Sequence, residues 1–460
     1  MDWWKIHLIK NNNLYIAFYY PNSKIKTVNE LAYNLIVNFQ QGKDIHDISK
    51  EIGISEEKIN DFIRSFEKSF GEGKANENIA EDKKPSQNRV VNKIMLHVSN
   101  DCNLRCKYCY ANGGNYNMPR QLMDFATADS FIQFCISQFD RVENVVFFGG
   151  EPFLNVEVMN YICNKFCSCS ANGLFPMPKF GVITNGTLIS SFIMDFIKQY
   201  ISWITVSIDG NKAMNDRNRV FSNGSGSFEK ISRFIKTIKD TNINVQYEAT
   251  YTLSHYQSNY TYKDIKDFMS SEFGITGIVV YEDKLKIQYT ENYWNGIKKS
   301  VLLDNNFDEL SDDFWRGLWL IVNDKENGLC PVIEKNFAVN ANGEIYACHI
   351  LNGNVDNSLG NVLGENIFNA QNKYRKFLDS IRFSESEKCK KCWAQKLCSG
   401  CIVNRFYNQS NKAFSIEPNE SYCSNTYYYL DKLISLIALI RSNNATWEKM
   451  KDYMKVKGVI

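Results

Sequence analysis

The sequence predicts an α/β fold in which parallel strand-helix units close into a full or partial barrel, preceded by a small winged-helix-like unit and followed by a cysteine-rich region. Three observations carry this. From Lys93 onward, short apolar strands alternate with helical stretches; residues 71–88 are polar and aperiodic; and seven of the 14 cysteines fall between Cys330 and Cys423. Repeated strand-loop-helix order argues for parallel pairing, with chemistry in the loops that follow the strands.

The first unit opens with two aromatic and branched runs between Trp3 and Tyr20, parted by the Asn11 to Asn13 turn, which predicts a hairpin. Three helical patterns follow: Val28 to Gln41, Ile45 to Ile52, and a segment capped by Ser55 whose apolar stripe is Ile59, Phe62, Ile63 and Phe66. Gly71 to Asn88 is then a linker. Ile94 to Val98, Asn144 to Phe148, Phe180 to Thr184, Trp203 to Ile208 and Val245 to Thr252 read as the strands of the second unit. Beyond about Asp304 periodicity is lost, and metal-stapled loops account for a region with cysteines but few apolar runs. Near the C-terminus, Leu433 to Ile440 falls short of the roughly 20 residues that span a bilayer, so a buried or docking helix is expected.

Charge excludes little and points nowhere: 53 Lys and Arg oppose 51 Asp and Glu, so no basic field suits nucleic acid. The N-terminus lacks a basic segment and an unbroken apolar run, against a secretory signal. In a chain of 460 residues the cysteine spacings favour metal over disulfides. Thiols that ligate iron must stay reduced, which predicts a cytoplasmic, anaerobic setting.

Directly after the strand at Ile94 to Val98 stands Cys102-x3-Cys106-x2-Cys109. Three thiolates hold a cubane and leave one iron open to chelate a small molecule. Zinc knuckles supply paired cysteines and a nearby fourth ligand, and none follows here. With Gly149-Gly150-Glu151-Pro152, Thr184-Asn185-Gly186, Ser207 and Arg219 following in order, the segment resembles the radical SAM superfamily. That resemblance implies a partial (β/α)6 barrel over residues 91–304 and cleavage of S-adenosylmethionine (SAM) to a 5′-deoxyadenosyl radical. It implies that Gly149, Gly150 and Glu151 meet the SAM amine, that Thr184, Asn185 and Ser207 contact its ribose and carboxylate, and that Arg219 faces the carboxylate. Tyr108 and the strand end at Tyr251 correspond to positions that flank adenine.

Downstream, Cys330, Gly343-x4-Cys348, Cys389-x2-Cys392-x5-Cys398-x2-Cys401 and Cys423 resemble the SPASM extension of peptide-modifying radical SAM enzymes, here over residues 330–425 after a bridging region 305–329. The resemblance implies two auxiliary four-iron clusters, three [4Fe-4S] clusters in all. By analogy Cys330, Cys348 and Cys401 hold the inner one and Cys389, Cys392, Cys398 and Cys423 the outer one, so one inner iron is open. The x2 spacing before Cys401 departs from the family's usual x3. His349 is read as a core histidine rather than a ligand. Cys135, Cys163, Cys167 and Cys169 match no family position; Cys135 reads as core, and a spare cysteine of the other three would serve an epimerase as hydrogen donor.

The order of elements in residues 1–72 resembles a PqqD-like peptide-recognition element, with a linker at 73–90 and a helical tail at 426–460. Such elements add a leader peptide as a strand to an exposed sheet edge. Together the parts resemble a maturase of ribosomally made peptides, a thioether synthase of the sactipeptide or ranthipeptide kind, working on a Cys-containing precursor with an electron donor such as flavodoxin or ferredoxin, and with neither nucleic acid nor membrane as partner. Alternatives are carbon-carbon crosslinking, epimerisation, sulfatase-type protein oxidation, and a non-catalytic zinc-bound scaffold or regulator.

Overall fold

A computed structural model describes residues 2–11, 13–70, 89–282, 291–327, 330, 335–364, 386–398, 401–408 and 413–459. The expected linker at 73–90 lies largely outside these residues. The first unit is a three-stranded antiparallel sheet of β1 (Ile6–Asn11), β2 (Leu14–Tyr19) and β3 (Lys24–Val28), with β2 in the middle, followed by α1 (Glu30–Gln40), α2 (Ile45–Ile52) and α3 (Glu56–Phe70). The hairpin and helices appear as expected, while β3 occupies the stretch before the first helix that the sequence reading leaves unassigned. Asn29 and Asp44 cap α1 and α2 by accepting from Ala32 and Asp47 amides, and Gly53 ends α2 in the left-handed conformation. One face of the sheet packs Ile6, Ala17 and Tyr19 against Ile36, Phe66 and Phe70.

Six parallel strands form the centre: β4 (Val90–Ser99), β5 (Arg141–Gly149), β6 (Lys179–Thr184), β7 (Ile201–Ser207), β8 (Asn244–Tyr251) and β9 (Ile278–Glu282), paired in that order. Between them run α4 (Phe125–Gln138), α5 (Val156–Ala171), α6 (Ser191–Tyr200), α7 (Lys212–Asn218), α8 (Phe228–Ile238), α9 (Leu253–Gln257) and α10 (Tyr262–Phe273). Five strands match the sequence expectation; β9 is additional. Alternation sends Ile94, Val145, Phe147, Val182, Ile204 and Val206 outward into the helix layer, where all are buried. Inward-facing Trp203 lies over Gly181, where an added Cβ would sit 2.3 Å from the indole. Cys135 on α4 and Cys163 on α5 are buried in the same core, and Cys167 is exposed.

Beyond α11 (Glu291–Leu303) and α12 (Asp312–Val322) the chain returns to the sheet: β10 (Asn336–Val339) pairs parallel with β4, and β11 (Glu344–Tyr346) and β12 (Ser358–Asn361) extend it antiparallel. The cysteine-rich region is therefore joined to the barrel edge by backbone hydrogen bonds, which aperiodic spacing does not reveal. Short α13 (Glu387–Lys390), α14 (Ile402–Phe406) and the pair β13 (Tyr407–Asn408) and β14 (Ala413–Phe414) lead to α15 (Glu420–Ser442) and α16 (Asn444–Val456). Leu433 to Ile440 lies in α15 with its apolar residues Leu433, Leu436 and Ile437 buried. Among the described residues, no helix is long and apolar enough to cross a membrane.

Candidate active site

The loop after β4 carries Cys102, Cys106 and Cys109 and is clamped on two sides. Gly150 and Glu151 amides donate to Ser99 O (2.9 Å) and Asp101 O (2.8 Å), while Arg105 and Lys107 amides donate to Val220 O (2.6 Å) and Asn218 O (3.0 Å). The cysteine loop, the Gly-Gly-Glu turn after β5 and the Arg219 segment after α7 are thus one backbone-bonded unit at the strand ends. Only glycine fits the turn: a Cβ on Gly149 would stand 2.1 Å from Ser99 O, and one on Gly150 2.1 Å from Asp101 O. On the other side, Asn185 Nδ2 donates to Asn103 Oδ1 (2.9 Å) and lies 3.5 Å from Cys102 Sγ.

Glu151 is fully buried and accepts from Thr184 Oγ1 (2.7 Å), Asn185 N (2.8 Å) and Phe153 N (3.1 Å). Burial pushes its carboxyl up to about 7 against the opposing pull of these donors. Burial likewise raises the Cys102 thiol to about 12 and raises Cys106, whose rise Arg219 opposes. Arg219 Nη1 donates to the Tyr108 hydroxyl (2.6 Å), which donates to Asp209 Oδ2 (2.8 Å). Ser207 ends β7 on the inner face, since it pairs with Glu248 in register. Tyr251 does not join this group: its side chain is on the outer face of β8, stacked on Tyr262 at 4.2 Å and His255 at 5.2 Å. Only its backbone reaches the strand end, because alternation gives the inner face to Thr250.

The downstream cysteines sort into two neighbourhoods. Burial pushes the Cys348 thiol up to about 12, with Cys401 and Cys330 adding to the rise. Burial pushes Cys423 up to about 11; Lys388 opposes this, and Cys389, Cys398 and Cys392 add to it. Arg405 Nη2 lies 3.0 Å from Cys398 Sγ, and the Tyr427 hydroxyl 3.3 Å from Cys392 Sγ. The His349 ring packs edge-on against Phe148 and Tyr110. Among the described residues, no three His, Cys, Asp or Glu side chains gather around one ion-sized point.

Residues 96–271 match the radical SAM superfamily model, and residues 330–393 match the model of an iron-sulfur cluster-binding domain, SPASM. It carries both domains. The chain is similar to the radical SAM cyclopropyl synthase TigE of Paramaledivibacter caminithermalis, 24% identical over 87% of this chain and 89% of that one. It is also similar to the cysteine-type anaerobic sulfatase-maturating enzyme of Clostridium perfringens, 27% identical over 67% of this chain and 87% of that one. A solved structure of anSMEcpe with bound AdoMet shares the fold, with TM-score 0.57 and 19% identity over 79% of this chain and 99% of that chain.

The protein is accordingly a radical SAM enzyme, and SAM and four-iron clusters are the cofactors of its two domains. The residues present fit them. Half-buried thiols with raised pKa values ionise against a strong local cation, which iron provides. Arg219 is 6% exposed and its Nε finds no acceptor among the described residues, which suits an incoming carboxylate. Sequence reasoning misses Asp209, Arg405 and Tyr427. Asp209 sits in the Val-Ser-Ile-Asp-Gly segment beside Ser207, a signal within reach; the other two belong to no spacing pattern.

Proposed function

We propose that the chain is a peptide maturase that joins a Cys sulfur to a carbon of a ribosomally made precursor, giving a sactipeptide- or ranthipeptide-type thioether. The observation that carries this reading is the unequal cysteine count: three thiols, Cys330, Cys348 and Cys401, in one neighbourhood against four in the other. Three thiolates leave an iron with room for a substrate thiolate beside the radical site. Cys102, Cys106 and Cys109 hold the radical-generating cluster, and Cys389, Cys392, Cys398 and Cys423 the outer auxiliary one, three clusters in all.

When bound, the cluster and SAM supply a 5′-deoxyadenosyl radical that takes a hydrogen atom from a substrate carbon. The chain's own part is placement. Gly149 and Gly150 admit the methionyl end of SAM to the backbone, Glu151 meets the ammonium, Arg219 receives the carboxylate, and Thr184, Asn185 and Ser207 hold the ribose and carboxylate side. Tyr108, with the strand end at Tyr251, borders the adenine. The N-terminal unit, residues 1–72, takes the leader peptide on a free edge of its three-stranded sheet. A cytoplasmic, anaerobic setting and a flavodoxin or ferredoxin donor complete the reading.

Similarity to a cyclopropyl synthase over 87% of the chain favours a second reading, carbon-carbon bond formation. One experiment separates the two. Protein reconstituted without oxygen is first assayed for iron, with about twelve atoms expected for three cubanes, and for 5′-deoxyadenosine after addition of dithionite and SAM. It is then given a Cys-containing precursor, and the product is alkylated and weighed. A product two hydrogens lighter that resists alkylation is a thioether; the same mass loss with the thiol still alkylated is carbon-carbon bonding and overturns the leading reading.

A further inference from the structure

Between the two cysteine regions lies a cluster of polar side chains that the proposed chemistry does not use. His97 is on the inner face of β4, Asn100 stands two residues before Cys102, Asn340 follows β10, and Asn352 stands four residues after Cys348. Their exposures are 0%, 0%, 0% and 5%. Asn100 Nδ2 donates to Asn340 Oδ1. Asn352 Nδ2 lies 2.8 Å from His97 Nδ1 and 3.5 Å from Asn100 Oδ1. Two chain stretches far apart in sequence, 97–100 and 340–352, meet in this one buried network.

Apolar side chains of similar volume would fill such a site at less desolvation cost. The network is also incomplete, since His97 Nε2 and Asn352 Oδ1 have no partner among the described residues. A buried polar cluster that is not fully satisfied opposes stability, yet its bonds are directional and fix where each segment lies. What it fixes is the cysteine loop at Asn100 relative to the chain on both sides of Cys348. Tyr110, next to Cys109, is 59% exposed, and its ring meets that of His349, next to Cys348, edge-on at 6.2 Å. A solvent-exposed ring between Cys109 and the neighbour of Cys348 puts open space between the two cysteine loops.

We propose that His97, Asn100, Asn340 and Asn352 form a positioning latch that sets the separation between the radical-generating cluster and the inner auxiliary cluster, and so the width of the gap a peptide must cross. This rests on the assignment of clusters to Cys102, Cys106 and Cys109 and to Cys330, Cys348 and Cys401.

The test uses the reconstituted full chain with no peptide, and reads the magnetic dipolar interaction between reduced clusters by pulsed electron paramagnetic resonance. Asn352→Leu removes the amide at similar volume; Asn352→Asp keeps the size and replaces the donor facing His97, which serves if the first variant folds poorly. Asn155→Leu is the comparison, because the side chain of buried Asn155 bonds, among the described residues, to Val98 O and Met123 O within the barrel. The expected result is a shifted and broadened inter-cluster dipolar frequency in either Asn352 variant at unchanged iron content, with no shift in Asn155→Leu. Unmoved frequency in both Asn352 variants, or an equal shift in Asn155→Leu, overturns the latch alone. Wild-type protein with no second cluster signal refutes the cluster assignment and the latch with it.

Discussion

Gly150 leaves the least room for change in the site. A methyl there would stand 2.1 Å from Asp101 O, backbone that cannot swing aside, so Gly150→Ala should cost about 2 kcal/mol of stability and abolish measurable SAM binding by equilibrium dialysis; retention of wild-type affinity would refute the close approach. Glu151 gives a pH signature. Its carboxyl is raised to about 7 by burial, so it is protonated below that pH and ionised above. An ammonium favours the ionised form, and SAM affinity should weaken about tenfold per pH unit below about 7 and level off above it. Glu151→Gln should flatten that profile. Arg405 is buried beside Cys398. A unit charge about 7 Å from a cluster at an effective dielectric of about 20 contributes roughly 2 kcal/mol. Arg405→Leu should therefore lower the outer cluster's potential by on the order of 100 mV in a spectroscopic titration. The cysteines and glycines are legible because their chemistry demands fixed local spacing. Arg405, Asn340 and Asn352 are not, because their partners are made neighbours only by folding.

At the scale of elements, legibility follows length. The five longer barrel strands carry enough apolar alternation to be read, whereas β9 has five residues and β10 four, and β3 mixes lysines with its branched residues. Short strands gain their identity from the neighbour they pair with. The N-terminal sheet shows the same dependence, since its second face rests on other parts of the chain: His7 of β1 stacks on Trp393 at 3.6 Å and lies 2.7 Å from Asp431 of α15. His7→Ala should loosen this docking by about 1 to 2 kcal/mol. Hydrogen exchange should then rise across β1 to β3 while the protection of β4 to β8 is unchanged; equal loosening of the barrel would show that the sheet is part of one cooperative unit.

For the whole molecule, the barrel and the cysteine-rich region share one sheet, with Asn336 to Val339 hydrogen-bonded beside Lys93 to Leu96. Iron removal should therefore split the chain's behaviour. Limited proteolysis after chelation is expected to cut near Cys389, Cys392, Cys398 and Cys423, the residues proposed to hold the outer cluster, and to spare β10 and β11, which are held by backbone pairing. Cleavage between β10 and β11 in the same experiment would mean that the metal holds the sheet edge too. The same pairing imposes a timetable on synthesis. At 5–20 residues per second, a ribosome that has delivered Lys93 needs roughly 10 to 50 s to deliver its partner Asn336. Through that interval the outer edge of β4 is unpaired and able to bond to another nascent chain. Yield in a heterologous host should therefore depend on how well chaperones shield that edge, independently of iron supply.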